Sequence, residues 1–251
     1  MDKIDEPYIP ETGREFPEDT FEHIYRKPKK YEFVFDDKYP YLDKSLGFRI
    51  KSAIVYLAIY IAPFIVSPLR FGLRIEGRKN LKKFKEHFKN GAMTMANHIH
   101  RWDFMWVLLA VRYRRLFFPA WADNVNGSEG HLIRLVGGIP IPKTYSALNK
   151  FNEAFDTLHK EKRWLHAYPE QALWEYYQHL RPFKKGVFTM AYNYKLPIIP
   201  LAFSYRKAAG VFRLFKKNLP LITLRIGEPL LPEDYLKSGG GGAKHEIVQR
   251  M

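Results

Sequence analysis

The 251-residue chain contains no cysteine, which excludes disulfide frameworks and cysteine-based zinc or redox sites. The same lack fits a reducing compartment. No internal repeat is present, so one domain rather than a repeat array is expected. No secretory signal is expected either, because Met1 opens an acidic, proline-containing stretch. Residues 52–69, SAIVYLAIYIAPFIVSPL, carry no charge at all. Acidic residues are few overall, 26 against 41 Lys and Arg, for a formal net charge of +15.

That imbalance is uneven. The first 22 residues hold eight acids against Lys3 and Arg14, a net of −6, which leaves +21 for the remainder. Such a body favours an anionic partner, either nucleic acid or the anionic face of a membrane. A hydrophobic fraction of 46% and an aromatic fraction of 16% exclude a wholly disordered chain and suffice for a full core.

Along the chain, residues 1–45 combine prolines, charges and scattered aromatics such as Phe16, Phe21, Phe35 and Tyr41, an irregular arm expected to pack on the body. The uncharged run 52–69, the centre of an expected membrane-associating segment 46–70, is interrupted by Pro63 and Pro68 and has basic residues on both sides: Lys44, Arg49 and Lys51, then Arg70, Arg74 and Arg78. A simple bilayer span shows positive charge mainly on one side. Symmetric flanks instead suit a segment that enters the interface and returns, or a helix lying in it, with a buried core helix as the alternative.

From residue 71 strands and helices alternate. Strands are expected at 92–96, 164–168, 197–204 and 221–226. Helices are expected at 104–112, along the Leu148, Phe151, Phe155, Leu158 face, and along Val187, Met190, Ala191 and Tyr194. This order implies a single α/β domain with a central mixed or largely parallel sheet flanked by helices. Residues 237–251, with Gly239–Gly242, read as a flexible tail.

Three motifs then stand in order. Asn97-His98 is followed five residues after the His by Asp103 in NHIHRWD. Tyr168-Pro169-Glu170-Gln171 comes next, and Lys184-Lys185-Gly186 leads to Pro197-Ile198-Ile199-Pro200. With nine His and 26 acids, one His-x4-acid spacing is expected by chance, so the order carries the argument. A His just before a helix and an Asp in its first turns can meet. The carboxylate then fixes the imidazole tautomer, and the other ring nitrogen can take a proton from a hydroxyl. His100 is a rival base without an acid five residues on, and His98-x-His100 lacks a third zinc ligand.

These motifs resemble the glycerolipid acyltransferase family typified by lysophosphatidic acid acyltransferases, over roughly residues 70–230. The likeness is to a divergent, bacterial-type member. The resemblance implies a glycerol-3-phosphate acyltransferase-like fold over 71–236, with His98 as general base and Asp103 as its partner. It implies acyl transfer from a thioester donor, acyl-CoA or acyl-ACP, to a hydroxyl of a lysophospholipid such as 1-acyl-glycerol-3-phosphate. No tightly bound cofactor or metal is implied. Gly137-Gly138-Ile139-Pro140 resembles the family's second block, after which Lys143 is the nearest basic residue; Pro169-Glu170 resembles the third and Pro197–Pro200 the fourth. Glu170 is expected to position the acceptor's glycerol or a basic neighbour.

Two positions depart from the pattern. His100 stands where a small hydroxyl residue is usual, and Glu170-Gln171-Ala172-Leu173 replaces Glu-Gly-Thr-Arg. The arginine that would hold the acceptor phosphate is therefore absent from its place, and Arg181, Lys184 and Lys185 in RPFKKG are the expected replacements. The expected partners are the lysophospholipid, the thioester donor, an acyl carrier protein where that is the donor, and an anionic membrane surface. The expected location is the cytoplasmic face of the membrane, peripheral or monotopic. The competing readings are a catalytically silent lipid-binding protein on the same fold and a basic nucleic-acid-binding module. No nucleic-acid-binding motif is present, and that module leaves 52–69 unexplained.

Overall fold

A computed structural model describes residues 8–11, 13–22, 24, 34–112, 114–215 and 219–236. The proposed tail 237–251 lies outside the described residues, as do Tyr25, Tyr31 and Phe33 of the arm.

The apolar segment forms one continuous helix, α1 (Leu46–Phe71), rather than a broken one. Ser45 caps its start, its hydroxyl accepting from the Phe48 N–H. Pro63 and Pro68 each remove one backbone donor. They do not end the helix, because a stripe at helical spacing (Ser52, Tyr56, Ile59, Pro63, Ser67 and Phe71) packs onto the body across both prolines. Polar groups pin that stripe. The Ser52 hydroxyl donates to the Leu135 carbonyl, the Tyr56 hydroxyl to the Val136 carbonyl at 2.8 Å, and Trp106 Nε1 donates to Ser67 Oγ at 3.1 Å. The other faces expose Leu46, Ile50, Ile54, Leu57, Ile61, Phe64, Ile65, Val66 and Leu69.

Beyond α1 come β1 (Arg74–Glu76), α2 (Arg78–Lys83), β2 (Met93–Ala96), α3 (Asp103–Ala110), β3 (Leu116–Ala120), α4 (Ala122–Asn126), α5 (Gly130–Leu135) and β4 (Gly138–Pro140). The second half holds α6 (Tyr145–Lys160), β5 (Trp164–Ala167), α7 (Lys185–Asn193), β6 (Ile198–Arg206), α8 (Val211–Phe215), β7 (Leu221–Ile226) and α9 (Pro232–Tyr235). Among the described residues the strands form one seven-stranded sheet in the order β1-β7-β6-β2-β5-β3-β4. Every pairing is parallel except β6 with β7.

All four residues of β2 and of β5 are buried, as expected for central strands covered on both faces. One core, on the side of α1 and α3, gathers Trp106, Val107, Leu116, Phe203 and Leu224. The other, on the side of α6 and α7, gathers Phe151, Phe155, Leu165, Phe188 and Tyr235. The arm joins this second core through Phe35 and Tyr41, the Tyr41 hydroxyl donating to the Phe35 carbonyl at 2.9 Å.

Three short strands, β1, β3 and β4, have no counterpart in the periodicity, and Leu148 of the expected α6 face is exposed while Ala147 and Ala154 are buried beside Phe151 and Phe155. The glycine that leads into β4 is a packing requirement. Gly137 has φ +104°, and a Cβ there would meet the Leu116 carbonyl oxygen at 2.1 Å.

Candidate active site

Strands β2 and β5 are parallel neighbours, so their carboxyl ends open at the same edge of the sheet, where α/β folds place ligands. The loop after β2 carries His98 and the loop after β5 carries Tyr168, Pro169 and Glu170. Asn97 fixes the first loop to β6: its Oδ1 accepts from the Phe203 N–H at 2.8 Å and its Nδ2 donates to the Phe203 carbonyl at 3.1 Å. The two loops also bond each other, Trp174 N–H donating to the His98 carbonyl and Tyr176 N–H to the Ile99 carbonyl.

Asp103 is the first residue of α3 and is 1% exposed. Its Oδ2 lies 2.7 Å from His98 Nδ1 and accepts from the Ile99 and His100 N–H groups at 3.0 and 3.2 Å. Its Oδ1 accepts from the Tyr168 hydroxyl at 2.7 Å. Burial alone would raise the Asp103 pKa, but the His98 charge and these hydrogen bonds outweigh it and hold it below the ordinary carboxylate range. The His98 side chain keeps 22% of its surface exposed, and its Nε2 has no hydrogen-bond partner among the described residues. This arrangement can accept a proton at Nε2 and stabilise the resulting imidazolium at Nδ1.

His100 does not share this geometry. It is buried between Trp106, stacked at 5.1 Å, and the rings of Phe71 and Tyr176, and its Nδ1 accepts from the Trp102 N–H at 3.0 Å. Burial pushes its pKa down, so the rival base is a neutral core residue that ties off the loop.

A family model described as "Acyltransferase" matches residues 72–204, just over half of the chain, spanning every motif named above. This chain belongs to the acyltransferase family. Among solved structures it is similar to the crystal structure of the 1-acyl-sn-glycerophosphate (LPA) acyltransferase, PlsC, from Thermotoga maritima. The identity is 17% and the TM-score 0.49, with 81% of this chain and 75% of that chain covered. Among curated proteins nothing matches.

In this acyltransferase the turn after β5 is built around a second buried carboxylate. Glu170 Oε2 accepts from the His98 N–H at 3.2 Å and from Arg181 Nη2 at 3.0 Å, while Oε1 accepts from the Arg181 N–H at 3.0 Å. Gln171, in the place of the family's glycine, keeps a left-handed backbone at φ +60°, a conformation that costs a non-glycine residue about 1–2 kcal/mol.

Arg181 corrects an expectation. Its side chain is 1% exposed and lies over the Trp174 ring, and besides Glu170 its guanidinium donates to the carbonyls of Thr20 and Ala172. A guanidinium so enclosed holds Glu170 and is not presented to an acceptor phosphate. The arm reinforces it: Phe16 stacks on Trp174 at 5.4 Å, Trp174 Nε1 donates to the Glu22 carbonyl at 2.7 Å, and Arg14 pairs with Glu175 at 2.8 Å.

The lysines are placed differently. Lys184, half-buried at the start of α7, bonds through its N–H to the Pro169 carbonyl and sets its ammonium 3.4 Å from the Phe21 ring centre. Lys185 is exposed beside it. Lys143 is exposed past β4, 3.5 Å from Asp123, and three strand spacings, about 14 Å, separate β4 from β2. Thus His98, Asp103 and Glu170 come together, Lys184 borders them, and Lys143 stands at the far end of the same rim. Tyr168 and Asn97 are site residues to which the sequence assigns no role.

Beneath the pair, fully buried His166 has its Nδ1 2.9 Å from Thr94 Oγ1, while its Nε2 is unpartnered. Burial drives its pKa down to about 3. The unfolded chain protonates His166 near the ordinary value of 6.5 and the folded one only near 3, so stability is lost as pH falls through that window; Asp103 adds a further loss below 3.8. Urea unfolding should show a loss of about 2 kcal/mol between pH 7 and pH 5, shallower in His166→Asn; equal slopes would contradict this. Arg181→Ala should destabilise the protein by about 3–5 kcal/mol, because it leaves the Glu170 charge buried and uncompensated. A change confined to acceptor KM, with stability intact, would show Arg181 to be a substrate ligand after all.

Proposed function

We propose that this acyltransferase moves a fatty acyl group from a thioester donor, acyl-CoA or acyl-ACP, to a hydroxyl of a lysophospholipid such as 1-acyl-glycerol-3-phosphate. The observation that carries the reading is the partly exposed imidazole of His98, whose Nδ1 is held 2.7 Å from a buried carboxylate and leaves Nε2 to act as the base. Nε2 takes the acceptor hydroxyl's proton as the oxygen attacks the thioester carbonyl carbon. The tetrahedral oxyanion collapses, the carbon–sulfur bond breaks, and the leaving thiolate takes the proton back from the imidazolium. The products are an ester and a free thiol. Glu170 holds the His98 backbone from behind, and Lys184, Lys185 and Lys143 are cations on this rim that suit acceptor or donor phosphate.

The lipid reading also draws on α1. Its 26 residues rise about 39 Å, enough for the roughly 30 Å hydrocarbon core, and its central window is only 28% buried. Yet its buried stripe is packed on the domain from Ser52 to Phe71. A helix fastened along its length to a polar domain cannot cross the bilayer without drawing that domain in, so α1 lies in one leaflet and the protein is monotopic. The +21 body suits the anionic cytoplasmic face.

His98→Ala should lower turnover at least about a hundredfold, with Asp103→Asn costing nearly as much through the wrong tautomer. Near-normal turnover by folded His98→Ala in an acyl-thioester assay would end this mechanism. On anionic vesicles, high salt should weaken binding without abolishing it, since apolar burial is not screened. Because Ile59 belongs to the buried stripe, the variant that should release the protein with its fold intact is Leu57→Asp, Ile61→Asp, Phe64→Asp. Complete release of the wild type by salt alone would show that α1 does not enter the lipid.

A further inference from the structure

Tyr168 touches both members of the His–Asp pair at once. Its ring lies parallel to the His98 imidazole, with centroids 3.9 Å apart and planes 14° apart. Its hydroxyl, 2.7 Å from Asp103 Oδ1, is the donor on that oxygen, while His98 and two backbone N–H groups occupy Oδ2. Burial, followed by the Asp103 charge, keeps the phenol protonated far above the ordinary range, so it remains a donor. The ring is itself held in place. His166 packs edge-to-face against it at 4.5 Å, Thr94 fixes His166, and Phe104 closes on His166 at 5.7 Å.

An imidazole on a loop can turn about its Cβ–Cγ bond, and a carboxylate can rotate its two oxygens past a partner. The stack blocks the first rotation and the phenol blocks the second. We propose that Tyr168 is a positioning residue for acyl transfer, locking His98 and Asp103 together through its ring and its hydroxyl. This rests on His98 being the base.

The two contacts make separable predictions. The phenol draws charge from Asp103 and so weakens the carboxylate's pull on the His98 proton. The titratable and charged groups around His98 include Asp103 from α3, His100 and Arg101 on its own loop, Tyr168 and Glu170 from the loop after β5 with Arg181 paired to Glu170, and His166 from β5. Tyr168→Phe leaves all of these and the ring in place and removes only the hydroxyl. Asp103 then pulls harder, and His98 holds its proton to higher pH.

The test is the pH profile of kcat/KM in vesicle assays, with NMR titration of the His98 imidazole in the resting protein. Tyr168→Phe should move the acid limb and the imidazole titration upward together, by about half to one pH unit, with the alkaline plateau kept within about threefold. Tyr168→Ala should instead lower the plateau by about tenfold or more, as an unstacked base is misoriented. Profiles and titrations that superimpose on wild type in Tyr168→Phe would overturn the role of the phenol, and an intact plateau in folded Tyr168→Ala would overturn that of the ring. If His98→Ala stays active the general-base reading fails by itself, while the imidazole titration still decides whether Tyr168 governs His98.

Discussion

A carboxylate removed from water stays charged only where donors replace the lost hydration, and in this acyltransferase that requirement falls on Asp103. Its two oxygens take hydrogen bonds from His98, Tyr168 and the backbone of Ile99 and His100. Those donors come from the loop after β2 and the loop after β5, while the carboxylate opens α3. The site is therefore a meeting of three segments that the sheet brings to one edge, and the imidazole is oriented because the carboxylate has no freedom left. Glu170 repeats the device one layer out, binding the His98 N–H on one side and Arg181 on the other.

The arm extends the same logic. Thr20 accepts from Arg181, Glu22 from Trp174, and Phe16 covers the indole, so the acidic N-terminal stretch closes over the loop that holds Glu170. Arg14 adds an ion pair to Glu175 of that loop, while the side chains of Lys185 and Lys143 and the apolar faces of α1 stay exposed. The molecule thus separates an oriented dyad from a surface suited to an anionic, apolar partner.

Much of this was legible in the residues. The strands β2, β5, β6 and β7 and the helices α3, α6 and α7 have length and periodicity enough to register, and the His98–Asp103 spacing could be read as a loop-to-helix contact. Other features lie beyond local pattern. Strands of three residues such as β1 and β4 have no period, and β3 contains Pro119. The prolines of α1 read as breaks because the stripe that carries the helix through them is a tertiary contact. Arg181 reads as a phosphate-binding cation because charge is normally exposed, and its burial depends on Glu170 and on Thr20, 161 residues away in sequence. Tyr168 was visible in its motif but mute, since its bond to Asp103 spans 65 residues.

A base that activates the acceptor hydroxyl passes the acyl group directly from thioester to hydroxyl, with no acylated protein between. Mass spectrometry of both lipid and intact protein, after incubation with an acyl thioester and a panel of lysophospholipids, tests it most directly. Direct transfer gives an acceptor heavier by one acyl group, one free thiol released per ester formed, and an unchanged protein mass throughout. Thiol release without acylated lipid, or an acyl adduct on the protein that decays as product appears, would contradict it.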